Sequence, residues 1–271
     1  MSRKFVFLLP MIFFAGAADA ADYNASTPEL YLTSSLRGSI GLRYWYSRSH
    51  SELDTSDFEL NSTDSVTSHT AELVGTLEDV TANTFVRGYV GLGKNVSGDA
   101  DFLGYASTDI EQKTIGYVVV DGGWQFTSFA NNQARLKGFI GYHYLNDGIE
   151  VNVGSTSLEQ SRQWHALRLG LSAEGDLTDR VGWSVDLAGV PWSYNKVDTL
   201  NSSWRADWTY GVEADAMLNV ALTENWHLGV GGRYWWLQSN FDRRWRDSGE
   251  KIVLDQNYQR YGLLLESKYQ F

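Results

Sequence analysis

The C-terminal segment of this chain alternates between apolar and polar side chains and ends on an aromatic residue. The side chains on one parity are mostly apolar, namely Tyr261, Leu263, Leu265, Tyr269 and Phe271. The intervening positions include Arg260, Glu266, Lys268 and Gln270. A period of two is the side-chain period of a β-strand, and this pattern is typical of a strand in the wall of a membrane barrel.

The same alternation recurs along most of the chain. Segment 226–240 shows it most clearly, with Leu228, Val230 and Tyr234 on one face and His227 and Arg233 on the other. A membrane-spanning strand needs about 9 to 11 residues. We therefore predict an all-β, transmembrane, antiparallel up-and-down barrel of about ten strands, with eight or twelve as alternatives. The predicted strands are 36–48, 67–79, 83–94, 111–127, 133–146, 161–175, 180–194, 203–222, 226–240 and 258–271.

The connections between these segments alternate in length. Short connections are predicted near 79–81, 129–132, 176–179 and 223–225, and longer loops at about 49–66, 95–110, 147–160, 195–202 and 241–257. Short periplasmic turns and longer external loops are the rule for bacterial outer-membrane barrels. We therefore expect both termini in the periplasm and the long loops at the cell surface of a Gram-negative bacterium.

The N-terminal segment has the features of an export signal. Arg3 and Lys4 precede an apolar run at 5–14, and Ala18-Asp19-Ala20 matches a small-x-small cleavage pattern. We expect residues 1–20 to be a signal peptide and residues 21–271 to form a single barrel domain, with 22–35 as a short periplasmic extension. The apolar run is too short for a transmembrane helix, which needs about 20 residues.

Composition narrows the classes of function. The chain has no cysteine, which excludes disulfides and thiolate sites, and its formal charge of −11 gives no support to nucleic-acid binding. No spacing of His, Asp and Glu suggests a metal site, so we expect no bound metal and no cofactor. We also expect a monomer. We expect Trp45, Tyr46, Trp192, Trp235 and Trp236 to form an interfacial aromatic belt, and a carbohydrate-stacking role is the alternative.

The partners expected from this architecture are outer-membrane lipid, including bound lipopolysaccharide, and an extracellular peptide or protein ligand. The candidate lipopolysaccharide contacts are the basic residues near the outer rim, Arg48, Arg205, Arg243 and Arg244.

The inward parity of the predicted strands carries many charged residues of both signs. Among them are Arg43, Glu72, Asp121, Arg168, Glu213 and Arg233. A barrel of about ten strands is only slightly wider than eight-stranded barrels, whose interiors side chains fill. We expect these charges to pair across the interior and block it; a narrow solute channel is the alternative.

One acidic pair lies where a surface barrel could carry chemistry. Asp99 and Asp101 come after the third predicted strand in Gly98-Asp99-Ala100-Asp101-Phe102. Two carboxyls at i and i+2 of an extended segment point the same way, so they could share a proton or hold a water molecule. Solvated loop acids or a calcium contact are the plainer interpretations.

The chain resembles the omptin family in several respects together. These are the ten strands, the long outer loops, the terminal aromatic residue, the segment Leu136-Lys137-Gly138-Phe139-Ile140-Gly141-Tyr142 and the Asp-x-Asp of the second long loop. Omptins are outer-membrane endopeptidases. In that family, an aspartate pair faces an Asp and a His of the fourth outer loop, and a water molecule between them attacks the peptide. The resemblance implies that Asp99 and Asp101 match the first pair.

The second pair departs from the family pattern. The fourth loop here offers Asp198 but no histidine, and His143 on the fifth strand is the remaining candidate for a base. His is the natural general base near neutral pH. Three hypotheses remain open: a noncatalytic surface protein acting as adhesin, receptor or structural barrel; an omptin-type endopeptidase with an altered active site at Asp99, Asp101, Asp198 and His143; and a narrow solute channel.

Overall fold

The computed structural model is a closed barrel of ten antiparallel strands. It describes residues 35–55, 62–101, 108–129, 133–153, 156–199, 202–206, 208–244 and 251–271. The predicted signal peptide, and the predicted extension up to residue 34, lie outside the described residues. Within the described residues no helix is long and apolar enough to cross a membrane.

The ten strands confirm the predicted fold class and the predicted count. They are β1 (Leu36–Thr55), β2 (Ser62–Asp79), β3 (Thr84–Asp101), β4 (Thr108–Glu111 and Lys113–Phe129), β5 (Ala134–Val153), β6 (Thr156–Thr178), β7 (Val181–Thr199), β8 (Ser202–Arg205 and Trp208–Ala221), β9 (Trp226–Arg244) and β10 (Lys251–Gln270). Each strand pairs with its sequence neighbours, and β1 pairs with β10, so the sheet closes without an edge.

The outward face of every strand exposes large apolar side chains. One example from each strand, in order, is Leu42, Leu73, Val90, Val120, Ile140, Leu169, Leu187, Val212, Val230 and Leu263. An encircling apolar surface of this kind is stable against lipid rather than water. The two faces predicted for β9 are confirmed, since Leu228, Val230 and Tyr234 are exposed on the outer surface and Arg233 is buried inside.

At one end of the barrel, here called the turn end, the strands are joined by short connections. Asp79 accepts hydrogen bonds from the backbone of Thr81 and Ala82, and Asn83 adopts a positive φ of 54° to return the chain into β3. The Thr223 hydroxyl oxygen accepts from the backbone of Trp226 in the turn before β9. The four short connections lie where the sequence predicted them.

At the other end, here called the loop end, the strands continue through most of the segments predicted as long loops. The predicted loops 49–66, 95–110, 147–160, 195–202 and 241–257 are therefore wrong in extent. The inward positions of these strand extensions mix polar residues, such as Ser49, Asn95, Asn195 and Gln256, with apolar ones. Because the inward face is mixed and the outward face is largely polar, the apolar alternation that marks a strand is lost there.

Two β-bulges reverse the inside and outside parity of strands in the loop half. In β3, Thr67 of β2 pairs with Ser97 while Ser68 pairs with Asn95, which leaves Val96 as an extra residue. In β7, Leu167 of β6 pairs with Trp192 while Leu169 pairs with Gly189, so Val190 and Pro191 oppose one residue. Pro191 has no N–H for the ladder, which suits a bulge.

Candidate functional site

The bulge at Val96 decides where Asp99 points. On the loop side of the bulge Ala100 is buried against Val66 and Ile149 inside the barrel, so Asp99 faces outward and is exposed. Its strand neighbours are Ser65 and Asp109. The backbone of Asp101 also belongs to β3, but its side chain lies outside the described part of the chain.

The bulge at Pro191 does the same for Asp198. Val197 is buried in a cluster with Phe241 and Leu254, so its neighbour Asp198 faces outward. The Asp198 side chain is about one-third exposed and forms an ion pair with Lys196 on the same face of β7. Each bulge adds one residue, and one residue is enough to move a side chain to the other face.

His143 lies on the inward face of β5, as predicted, and is 1% exposed. Its Nδ1 is 2.7 Å from Oε1 of Glu213, and its ring packs against Trp235 with the ring centroids 4.5 Å apart. Its Nε2 is buried without a hydrogen-bond partner among the described residues. Because the ring is buried, a substrate cannot touch this nitrogen in this conformation.

The four predicted site residues therefore do not share one side of the barrel wall. His143 lies in the interior, whereas Asp99 and Asp198 lie on the outer surface. Among the described residues, no three His, Asp or Glu side chains are grouped to hold a metal ion.

The interior nearer the turn end is filled by paired charges, as the sequence predicted. Arg233 lies at the centre, with Nη1 2.5 Å from Glu72 and Nη2 2.9 Å from Asp215. Arg168 lies 2.7 Å from both Asp121 and Glu213. Each of these buried charges would be costly if it were unpaired. A cavity of about 90 Å³, enough for a few water molecules, remains beside this layer.

A layer of aromatic rings lies above the charges, toward the loop end. Trp45 and Trp235 are fully buried with ring centroids 4.6 Å apart, and Tyr117 contacts both edge-on. The guanidinium of Arg233 lies 4.9 Å from the Trp45 ring, a cation–π contact. The predicted belt is therefore wrong for Trp45 and Trp235, which face inward, whereas Tyr46 and Trp192 are exposed on the outer surface.

Above the aromatic layer lies a buried polar network around Asp147. Its Oδ2 accepts hydrogen bonds of 2.9 Å from both Tyr258 and Arg260, and its Oδ1 accepts one of 3.0 Å from Asn95. Burial alone would raise the pKa of the Asp147 carboxyl, but Arg260 and Arg162 and these hydrogen bonds hold it below its usual value.

A second buried pair in this half joins Asp64 to Arg162. Here burial outweighs the guanidinium and raises the pKa of the Asp64 carboxyl above its usual value. One oxygen of Asp64 and one terminal nitrogen of Arg162 are buried without a hydrogen-bond partner in the described structure. The pKa of the Asp64 carboxyl is thus raised and that of the Asp147 carboxyl is lowered, although both are buried beside a guanidinium group.

The outer surface of β8, β9, β10 and β1 carries a polar patch that the sequence prediction missed. In the register of these strands, Tyr210, Gln238, Asn257 and Glu52 lie side by side, and Trp208, Asn240, Asp255 and Asp54 form the next row toward the loop end. The signal in the sequence was an amide or an acid at every second position of two segments, at 238 and 240 and at 255, 257 and 259. It was hidden because the inward residues between them are a mixture of apolar and polar types.

Nearer the turn end, and separated from these rows by one further row of side chains, residues of β7 to β10 and β1 line a groove of about 680 Å³ on the outer surface. Its floor is made of the small residues Ala214, Ala216 and Gly232, and its walls include Tyr46 and Tyr261. Arg48 lines the groove at its end nearer the polar rows.

No protein-family profile and no curated protein sequence matches this chain. Solved structures do. The chain is similar to the outer membrane protease OmpT from Escherichia coli, with a TM-score of 0.58, 8% identity and coverage of 87% of this chain and 96% of that one. At this identity the similarity shows the fold alone.

Two further structures are similar at lower TM-scores. The outer membrane protein OprG from Pseudomonas aeruginosa gives 0.39 at 12% identity, with 86% of this chain and 96% of that one covered. The translocator domain of the autotransporter NalP from Neisseria meningitidis gives 0.40 at 14% identity, with coverage of 85% and 88%. The chain has the fold of outer-membrane β-barrels.

Proposed function

We propose that this chain is a noncatalytic surface barrel of the Gram-negative outer membrane, acting as an adhesin, a receptor or a structural barrel. The observation that carries the proposal is the filled interior. Along β9 alone, the inward face passes from Arg233 through Trp235 and Ser239 to Phe241, and each of these side chains is at most 3% exposed. Contact with the surroundings is therefore left to the outer surface, and the loop end is the extracellular end of the strands.

The omptin-type endopeptidase is the second candidate, and the buried pair of His143 and Glu213 favours it. A carboxylate that orients a histidine with a second ring nitrogen free is an arrangement that general-base catalysis uses. Catalysis at this pair would require the barrel to open to a peptide, since both side chains are 1% exposed.

Peptide cleavage separates the two candidates. The refolded barrel, with lipopolysaccharide present, is incubated with a peptide library, and fragments are detected by mass spectrometry. We expect no cleavage beyond that of a heat-unfolded sample. Cleavage that is lost in the His143→Asn variant would support the endopeptidase, and cleavage lost in an Asp99→Asn/Asp101→Asn variant would assign it to the acidic pair.

Lipid is the partner that the outer wall requires. We propose that an acyl chain of lipopolysaccharide occupies the groove floored by Ala214 and Gly232, with a phosphate of its headgroup near Arg48. Lipopolysaccharide retained by the purified barrel is measured for the Arg48→Glu variant and for Lys94→Glu, which changes an exposed cation on β3, outside the groove. The proposal predicts a loss in the first variant only; an equal loss in both would contradict it.

A further inference from the structure

The polar patch on the outer surface of β8, β9, β10 and β1 has the composition of a ligand site. We define the polar ladder as Gln238, Asn240, Asp255, Asn257, Gln259 and Glu52. All six face outward, because their strand neighbours, such as Ser239, Gln256 and Tyr258, are buried in the interior. The side chains are adjacent in strand register, about 4.8 Å apart across the strands.

The ladder side chains are held in place by one another. The indole nitrogen of Trp236 donates to Oδ1 of Asn257 at 3.1 Å, and Asn240 donates to Asp255. Gln259 donates to the same oxygen of Asn257 at 3.5 Å. Side chains that are ordered before binding lose less conformational entropy when a ligand arrives.

The functional groups on the ladder match those of a sugar. An amide presents two N–H donors and a carbonyl acceptor, and a carboxylate accepts at two oxygens. Adjacent hydroxyls of a pyranose ring both donate and accept, so a grid of amides and carboxylates at the spacing of one sugar ring can bind them in pairs.

Two exposed aromatic rings border the ladder. Trp208 is 53% exposed and Tyr210 is 40% exposed, and they lie beside Asn240 and Gln238 in register. An aromatic face presents an apolar surface to the C–H face of a sugar ring, while the neighbouring amides reach its hydroxyls. The combination suits a polyhydroxylated ring better than a purely apolar or purely ionic ligand.

The negative charge of the two rows favours neutral glycans over anionic ones. The two register rows carry the carboxylates of Glu52, Asp54 and Asp255 and contain no Lys or Arg. Phosphate or sulfate groups would meet like charges there, which costs binding energy. The phosphorylated part of the cell's own lipopolysaccharide is disfavoured for the same reason.

We propose that the polar ladder, with Trp208 and Tyr210, binds a neutral glycan presented from outside the cell. The proposal rests on the proposed noncatalytic surface function and names the class of its ligand. It is an alternative to the peptide or protein ligand expected from the sequence.

The test uses the full barrel refolded into phospholipid nanodiscs without lipopolysaccharide. It is applied to an array of neutral, sulfated and phosphorylated glycans, and affinity for the neutral glycans that bind is measured by titration calorimetry. We expect neutral glycans to bind, and we expect Trp208→Ala and, separately, Asn240→Ala to weaken them about tenfold or more. Trp124→Ala is the matched control, because Trp124 is 50% exposed on β4, which does not neighbour any strand of the ladder.

Four results would overturn the proposal. They are no neutral glycan bound by a barrel shown to be folded by circular dichroism, tighter binding of sulfated glycans, tighter binding of phosphorylated glycans, and an unchanged affinity in both Trp208→Ala and Asn240→Ala. Peptide cleavage is scored on the same preparation. If the barrel neither binds glycan nor cleaves peptide, the glycan proposal is wrong but the noncatalytic surface function is not contradicted. If the barrel cleaves peptide, the noncatalytic function is wrong.

Discussion

At the scale of single residues, the interior is a set of charges that are stable only as pairs. Asp147 accepts hydrogen bonds from three neighbouring side chains. One of these, Arg260, also donates to the hydroxyls of Ser47 and Ser68. Removing one member leaves the other buried without compensation. The stability of the loop half should therefore respond sharply to changes at such residues and weakly to changes at exposed acids.

Asp147→Asn should lower the free energy of unfolding by about 3 to 5 kcal/mol, because it leaves the buried Arg260 guanidinium without its carboxylate. Urea unfolding in lipid, followed by tryptophan fluorescence, measures the change. Asp99→Asn is the matched control, since Asp99 is exposed, and it should shift the value by no more than about 0.5 kcal/mol. Equal shifts would show that the Asp147 network does not stabilise the barrel.

The lowered pKa of Asp147 also predicts the pH range of this effect. A carboxyl whose pKa is lower in the folded state than in the unfolded chain stabilises the fold above the unfolded value of about 3.9, and the contribution is lost as pH falls through the folded value. The stability gap between the wild type and Asp147→Asn should be constant near neutral pH and shrink below about pH 4. A gap that shrinks on raising the pH would contradict this assignment. Asp64, with its raised pKa, contributes in the opposite sense.

At the scale of strands, the alternation of side chains predicted the turn half of the barrel well. The outward apolar face of β9 and the inward charges lie where the period of two placed them. The loop half was missed because its interior is built from Ser, Asn and Arg as well as apolar residues, so neither face has a distinct pattern.

The bulges could not be predicted from the alternation. Val96 and Pro191 lie between segments that are each regular, and a single extra residue changes only the parity of the residues after it. This is why Asp99, which the resemblance to omptins matched to an aspartate pair facing the fourth outer loop, lies on the outer surface.

Single cysteines test the parity directly, because the chain has none of its own. In folded barrel, Asp99→Cys should react with a charged maleimide at least severalfold faster than Ala100→Cys, whose position is 2% exposed. In unfolded protein the two rates should be alike, which controls for local sequence. If Ala100→Cys reacted faster than Asp99→Cys in the folded barrel, Asp99 would lie inside and the bulge at Val96 would be absent.

At the scale of the whole molecule, the interior is a stack of layers between the turn end and the loop end. Paired charges come first, then the aromatic rings around Trp45 and Trp235, then the network of Asp147, and last the apolar clusters of Val66 and Val197. A ten-stranded barrel is narrow enough for side chains to close each layer. The outer face of the barrel wall is therefore the surface that contacts lipid and ligand.

Single-channel recording in planar bilayers tests this closed interior most directly. The folded barrel should give no steady conductance steps across a range of voltages and at both low and neutral pH. An open porin inserted in parallel confirms that steps would be detected. Reproducible steps from the purified barrel would mean that a continuous aqueous path crosses the charged and aromatic layers, and would contradict the closed surface barrel.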